Sequence, residues 1–169
     1  MSKINIVLYA QEDCKGDHVT LTSDVPDLTV NQFMKKALSL KVFGDPWIVF
    51  TEINYKGDYT VYREGEHNDI KSMSSNIASL RVIPMGLQSP SITVYENVKY
   101  DGRHVEVTSP LSQLFNENGS PSFKVRQGAW ILYGEENYSG NPTFVLSGDE
   151  EPGYWNNRIK SLKTISQSE

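Results

Sequence analysis

The chain has little of what most function classes require. One cysteine, Cys14, in 169 residues leaves no partner for an intramolecular disulfide. No apolar run approaches the roughly 20 residues that a membrane-spanning helix needs. The opening Met1-Ser2-Lys3-Ile4 carries no apolar secretion core and runs straight into a strand pattern at Asn5–Tyr9. These absences set an expectation of cytoplasmic residence, or release without a signal peptide. Two acceptor sequons, Asn118-Gly119-Ser120 and Asn137-Tyr138-Ser139, carry little weight without secretory entry. An excess of positive charge is also missing. With 16 basic against 21 acidic residues, interspersed along the chain, the net charge of −5 gives no electrostatic footprint for nucleic acid.

Catalytic signatures are equally scarce. There is no Gly-x-Ser-x-Gly, no His-Glu-x-x-His and no phosphate-cradling glycine loop. His18, His67 and His104 are scattered and read as structural. Cys14, beside Lys15, reads as a turn residue rather than an activated thiol. Asp149-Glu150-Glu151 ahead of Pro152 reads as a solvated loop, and Asn68–Ser72 as an ordinary polar turn. The expectation is a protein that is not an enzyme.

What the chain has in abundance is a repeat. Trp130-Ile131-Leu132-Tyr133 is an apolar strand ending in an aromatic, and Gly140 follows that aromatic by seven positions. The same spacing joins Tyr9 to Gly16, Phe50 to Gly57 and Tyr95 to Gly102. For 18 aromatics and 12 glycines in this length, chance supplies roughly 1.3 such pairs, so four mark an internal repeat. Each copy closes on a serine followed by an apolar/basic alternation: Ser39-Leu40-Lys41-Val42, Ser79-Leu80-Arg81-Val82, Ser122-Phe123-Lys124-Val125 and Ser161-Leu162-Lys163-Thr164. The chain thus reads as four modules of about forty residues, each opening in a hairpin and ending in a half-buried strand.

Trp47 and Trp130 stand three residues before the aromatic in the even modules only, which pairs the modules one-two and three-four. Ile83–Ser91 has two prolines, one glycine and no charge, and is the best linker. The expected organisation is a domain over 1–84, a linker over 85–91, a second domain over 92–165 and a polar tail over 166–169. Helical texture is confined to Leu28–Leu38, where a turn or two of helix is expected. Many short strands with regular turn signals predict all-β sandwiches. The glycine supplies the positive φ that a folded-back hairpin needs, and the aromatic can lie against that turn. Trp155 and the other tryptophans read as core; Tyr59, Tyr62 and Tyr138 are candidates for an exposed face that binds sugar or protein.

This pairing of aromatic-x6-glycine modules closed by a Ser-apolar-basic strand resembles the βγ-crystallin superfamily across residues 4–165. Tyr95–Gly102 and Tyr133–Gly140 are closest to the family signature, with Tyr100 and Tyr138 two before the glycine. Tyr55 fills that place in module two and Cys14 in module one. The resemblance implies two domains, each a β-sandwich of two Greek-key motifs. The single cysteine sets the chain apart from lens γ-crystallins. It is more similar to non-lens vertebrate members such as the epidermis differentiation-specific proteins, in which two such domains precede an aerolysin-like pore-forming domain. That implies a protein partner or a C-terminal pore-forming domain, and contact with a membrane only indirectly.

The family's calcium loop reads Asn/Asp-Asn/Asp-x-x-Ser/Thr-Ser, a set of oxygen donors suited to a hard cation. Carried over by position, the loops are Met34–Ser39, Ser74–Ser79, Glu117–Ser122 and Asn156–Ser161. The hydroxyl of the fifth position is replaced by Leu38, Ala78, Pro121 and Lys160. The leading pair survives as Asn156-Asn157, with Glu117-Asn118 in module three, and these four are the candidate metal ligands. The expectations are weak calcium binding in the second domain, or no cofactor and loops that serve as structural turns whose final serine caps backbone groups.

Overall fold

A computed structural model describes residues 4–114, 119–153 and 158–165. The chain divides into two compact units on either side of Ile83 and Pro84. In the first, β1 (Asn5–Gln11), β2 (Lys15–Leu21) and β3 (Ser39–Phe43) arise from module one. Module two supplies β4 (Trp47–Glu52), β5 (Lys56–Tyr62), β6 (Gly65–His67) and β7 (Ser79–Val82). The second unit repeats the scheme with β8 (Ser91–Asn97), β9 (Asp101–Val107) and β10 (Ser122–Gln127). Its other module gives β11 (Ala129–Glu135), β12 (Ser139–Leu146), β13 (Glu150–Glu151) and β14 (Ser161–Thr164).

Each unit is a pair of antiparallel sheets, ordered β2-β1-β3-β6 and β5-β4-β7 in the first, β13-β10-β8-β9 and β12-β11-β14 in the second. The orders show that modules exchange edges. β6 belongs to module two yet pairs with β3 of module one, Leu40 opposite His67. In return Val25 of module one bridges Leu80 in β7. In the second unit β13 pairs with β10, and Leu111 bridges Leu162. The four-stranded sheet of each unit therefore takes its edge from the neighbouring module, and the single bridges to the three-stranded sheets interlock the two modules in return.

Period-two alternation puts one side chain in two inward. Ile6 and Leu8 of β1, Leu40 and Val42 of β3, Trp47 and Val49 of β4 and Leu80 of β7 fill one core. Ile92, Val94, Val125, Trp130, Leu132 and Leu162 fill the other. Trp47 and Trp130 are fully buried, so the extra tryptophan of the even modules is a core residue.

Leu28–Leu38 corrects an expectation. It forms successive turns, not a helix: the Val30, Asn31 and Gln32 amides donate to the Asp27, Leu28 and Thr29 carbonyls. Gln32 at φ 58° and Lys35 at φ 55° leave the helical region. Longer-range bonds win here, with the Leu28 amide donating to Ala78 O, Lys35 to Ile77 O and Leu38 to Tyr9 O. Among the described residues the one helical turn is a 3-10 turn at Lys71–Met73, which begins inside the Asn68–Ser72 stretch read as a polar turn and ends one residue beyond it.

Candidate functional site

The repeated residues meet in four equivalent clamps. After the aromatic, the strand bulges and the chain turns through two consecutive left-handed residues: Asp13-Cys14, Asn54-Tyr55, Lys99-Tyr100 and Asn137-Tyr138, all with φ between 56° and 62°. The module's glycine follows, at φ between 80° and 92°. Two left-handed non-glycine residues in a row cost about 1–2 kcal/mol each, so tertiary contacts must hold them.

The closing serine supplies that hold. The Ser79 hydroxyl donates to Glu52 O at 2.6 Å and accepts the Tyr55 amide at 3.0 Å. Ser122 joins Asn97 O and the Tyr100 amide in the same way, and Ser161 joins Glu135 O and the Tyr138 amide. Ser39 does so with Gln11 O and the Cys14 amide. All four serines are fully buried. A hydroxyl offers one donor and two acceptor sites, and each clamp uses the donor and one acceptor on the turn's backbone.

The basic residue two places after each serine completes the clamp, a role that its spacing carried but that reading the sequence missed. Lys41 lies over Tyr9, Arg81 over Tyr55, Lys124 over Tyr100 at 4.4 Å, and Lys163 over both Tyr133 and Tyr138. Beneath, the strand aromatic meets the tip aromatic edge-on, as Phe50 with Tyr55, Tyr95 with Tyr100 and Tyr133 with Tyr138. Module one departs from this: Cys14 occupies the tip, and Tyr9 instead packs on His18. Burial, then Glu150 and Glu151, push the Tyr100 hydroxyl above its ordinary range. Hydrogen bonding to Glu66 holds the Lys41 ammonium charged to higher pH than usual.

Each clamp is also tied to the other module of its unit, again unseen in the sequence. The first left-handed residue donates its amide across: Asp13 to Asn68 O, Asn54 to Pro26 O, Lys99 to Pro152 O and Asn137 to Ser112 O. Asn68, in the polar turn of module two, thereby becomes a contact of the module-one hairpin, with its Oδ1 3.6 Å from Cys14 Sγ.

The loops aligned with the calcium pattern lie beside these clamps. In the first unit they are cross-braced, Lys35 donating to Ile77 O and Ser75 to Ala37 O, with Ala37 and Ala78 buried. In the second, Ser120 and Ile159 exchange both backbone bonds at 2.7 Å. Pro121 is buried, and Lys160 donates its amide to Tyr133 O. Glu117, Asn118, Asn156 and Asn157, together with Trp155, lie outside the described residues. Among the described residues no three His, Cys, Asp or Glu side chains converge on a possible metal position.

The histidines are placed by packing. His18 packs at a tilt against Tyr9 and His104 against Tyr95, while His67 meets Tyr62 edge-on, with His67 Nε2 2.8 Å from Arg63 O. Of the tyrosines read as a possible exposed face, Tyr62 is instead buried, because it pairs with Trp47 on the core side of β4 and β5 and joins that core. Burial pushes its hydroxyl to about 12. Tyr138 is half-buried beneath Lys163, and Tyr59 is exposed. In the second unit an open groove of about 400 Å³ is lined in part by Tyr133, Glu135, Asn141, Thr143 and Glu151. Glu151 is already engaged there by the Gly153 amide.

Comparison with known proteins follows the same division. The Beta/Gamma crystallin family model matches residues 5–83 and 91–165. Epidermal differentiation-specific protein of Cynops pyrrhogaster is 38% identical over 129 residues, which is 75% of this chain but only 38% of that protein's length. Gamma-crystallin D of Homo sapiens is 30% identical over 170 residues, covering 95% of this chain and 96% of its own. Among solved structures, Geodin, a beta-gamma crystallin from Geodia cydonium, aligns with a TM-score of 0.42 at 20% identity over 96% of this chain and 99% of its own.

Proposed function

From the premise that this chain belongs to the beta/gamma crystallin family, we propose that it is a non-enzymatic structural and interaction module of a non-lens crystallin-like protein. One observation carries the reading: the serines, aromatics and basic residues that repeat four times are spent on holding the fold together. All four serines close clamps on their own hairpins. What remains for function is surface rather than chemistry.

In this proposal the chain is the recognition part of a longer protein that places an aerolysin-like pore-forming domain after it and meets a membrane only through that domain. The identity to the Cynops pyrrhogaster protein, of which the match spans 38%, supports a non-lens setting and leaves length for such a domain. A cytoplasmic protein released without a signal peptide fits the same picture. The second reading, a soluble packing protein of lens type, draws on the full-length match to human gamma-crystallin D.

Two measurements test the proposal. Chelator-treated protein titrated calorimetrically with millimolar calcium is expected to give a flat isotherm and an unchanged melting temperature. A ligand that binds only the native state must raise that temperature. A saturable isotherm with a raised melt, both lost on joint Asn156→Ala and Asn157→Ala substitution, would replace this reading with a calcium-dependent one. Sequencing the native transcript decides between the other two: an aerolysin-like extension supports the toxin-type module, and its absence favours the packing protein.

A further inference from the structure

The four long edge strands of the sheets are not equivalent. β12 carries Pro142, which removes a backbone donor from its free edge. β5 ends in buried Val61 and Tyr62, and β2 in half-buried Val19 and buried Leu21. β9 is the most exposed of the four: six of its seven residues are exposed, and like β2 and β5 it contains no proline and pairs with a single strand, here β8. About half of its backbone donors and acceptors therefore point away from the sheet, and among the described residues no strand takes them.

Its side chains divide by face. Val105 and Val107 pair with core residues Val94 and Ile92 and so point toward the core side, yet Val105 is 36% exposed. His104 and Glu106 pair with Tyr95 and Thr93 and share the outer face. A twofold axis perpendicular to the sheet keeps like faces together, so β9 can pair antiparallel with a second β9 only in registers that match core side to core side. Centring the axis on Val105 sets Val105 against its own copy and His104 against Glu106 of that copy, twice. Directly opposed side chains in such a pair lie about 4.5–5.5 Å apart, within reach of contact between the valines and of an imidazole–carboxylate hydrogen bond. The outer residues of β2 in the corresponding register, His18 and Thr20, offer no such charge complement.

We infer that β9 is a self-association edge: two copies of this chain join through antiparallel β9 strands centred on Val105, extending the sheet β13-β10-β8-β9 across a twofold axis. The inference rests on the reading of the chain as an interaction module and names one partner, a second copy. A seven-residue strand buries less than the roughly 800 Å² per partner of a stable interface, so the association is weak, with a Kd of about 0.1–1 mM.

The test is sedimentation velocity on the whole chain from about 10 µM to about 1 mM, the range that brackets this affinity. A reversible shift from monomer to dimer is expected. Glu106→Lys sets a cation against His104 twice over the twofold axis, and is expected to weaken dimerisation about tenfold. Joint His104→Glu and Glu106→Lys substitution restores complementarity and is expected to return the affinity to within about threefold of the parent. Both positions are exposed, so far-ultraviolet circular dichroism should stay unchanged. A protein monomeric throughout the range overturns the inference, as does a dimer indifferent to Glu106→Lys or one that the double variant fails to rescue. Neither result touches the calcium titration or the transcript, which decide the broader reading separately.

Discussion

The clamp makes a quantitative prediction at Ser79. Replacing Ser79 by Ala removes a single oxygen atom from a fully buried site. That atom serves two backbone groups, the Glu52 carbonyl at 2.6 Å and the Tyr55 amide at 3.0 Å. A typical hydrogen bond contributes a net of about 0.5–1.5 kcal/mol, and a polar group stranded out of water costs about 1–3 kcal/mol. The turn is part-buried, so water can reach one of the two groups, and the expected loss is about 2–3 kcal/mol. For a unit of roughly 80 residues this lowers the melting temperature by roughly 10–20 °C. The location of the damage is as telling as its size. Residue-resolved hydrogen exchange should show the Tyr55 amide losing protection, and its neighbour Asn54, bonded to Pro26 O, losing it as well. The second unit should keep its protection. A loss below about 0.5 kcal/mol, the scale of an ordinary surface substitution, would refute the view that the closing serine holds the strained turn. So would an unchanged Tyr55 amide.

Other outcomes follow from the same geometry. Gly57 sits at φ 86° where an added Cβ would collide with Thr51 Oγ1, whereas Gly86, at φ 77°, meets nothing within 4 Å. Chemical denaturation should therefore show Gly57→Ala costing well over the roughly 1–2 kcal/mol of backbone strain expected for Gly86→Ala. Tyr62, raised to about 12 by burial, binds its proton more tightly folded than unfolded, where the value is near 10. Its contribution is complete below pH 10 and is lost as pH rises from 10 to 12, so the parent should lose stability faster than Tyr62→Phe across that window in denaturation series.

Sequence alone determined the modular plan of this protein, because the plan is written in spacing. The aromatic and the glycine seven residues apart fix a hairpin that must turn through positive φ, and that demand is local to the backbone. The Ser-apolar-basic triplets likewise marked four closing strands, since alternation along a strand sorts its faces without reference to anything distant. Trp47 and Trp130 could even be used to pair the modules. What spacing could not reveal was which backbone groups each serine and each cation would meet, because Ser79 and Tyr55 are 24 residues apart and touch only after β4 and β7 have paired. The exchange of β6 and β13 into the sheets of their neighbours was equally hidden, as was the fate of Leu28–Leu38. Its local pattern favoured a helix, and bonds to Ile77, Ala78 and Tyr9 overrode it. Exposure, too, was decided in three dimensions: Tyr59 and Tyr62 lie three residues apart on β5 and so on opposite faces. Only Tyr62, paired with Trp47, joins the core cluster and is covered, while Tyr59 pairs with Phe50 outside that cluster. Local conformational preferences act on a few neighbouring residues and can be read in order; burial and long-range hydrogen bonds depend on which strands meet, and only the folded pair of modules settles that.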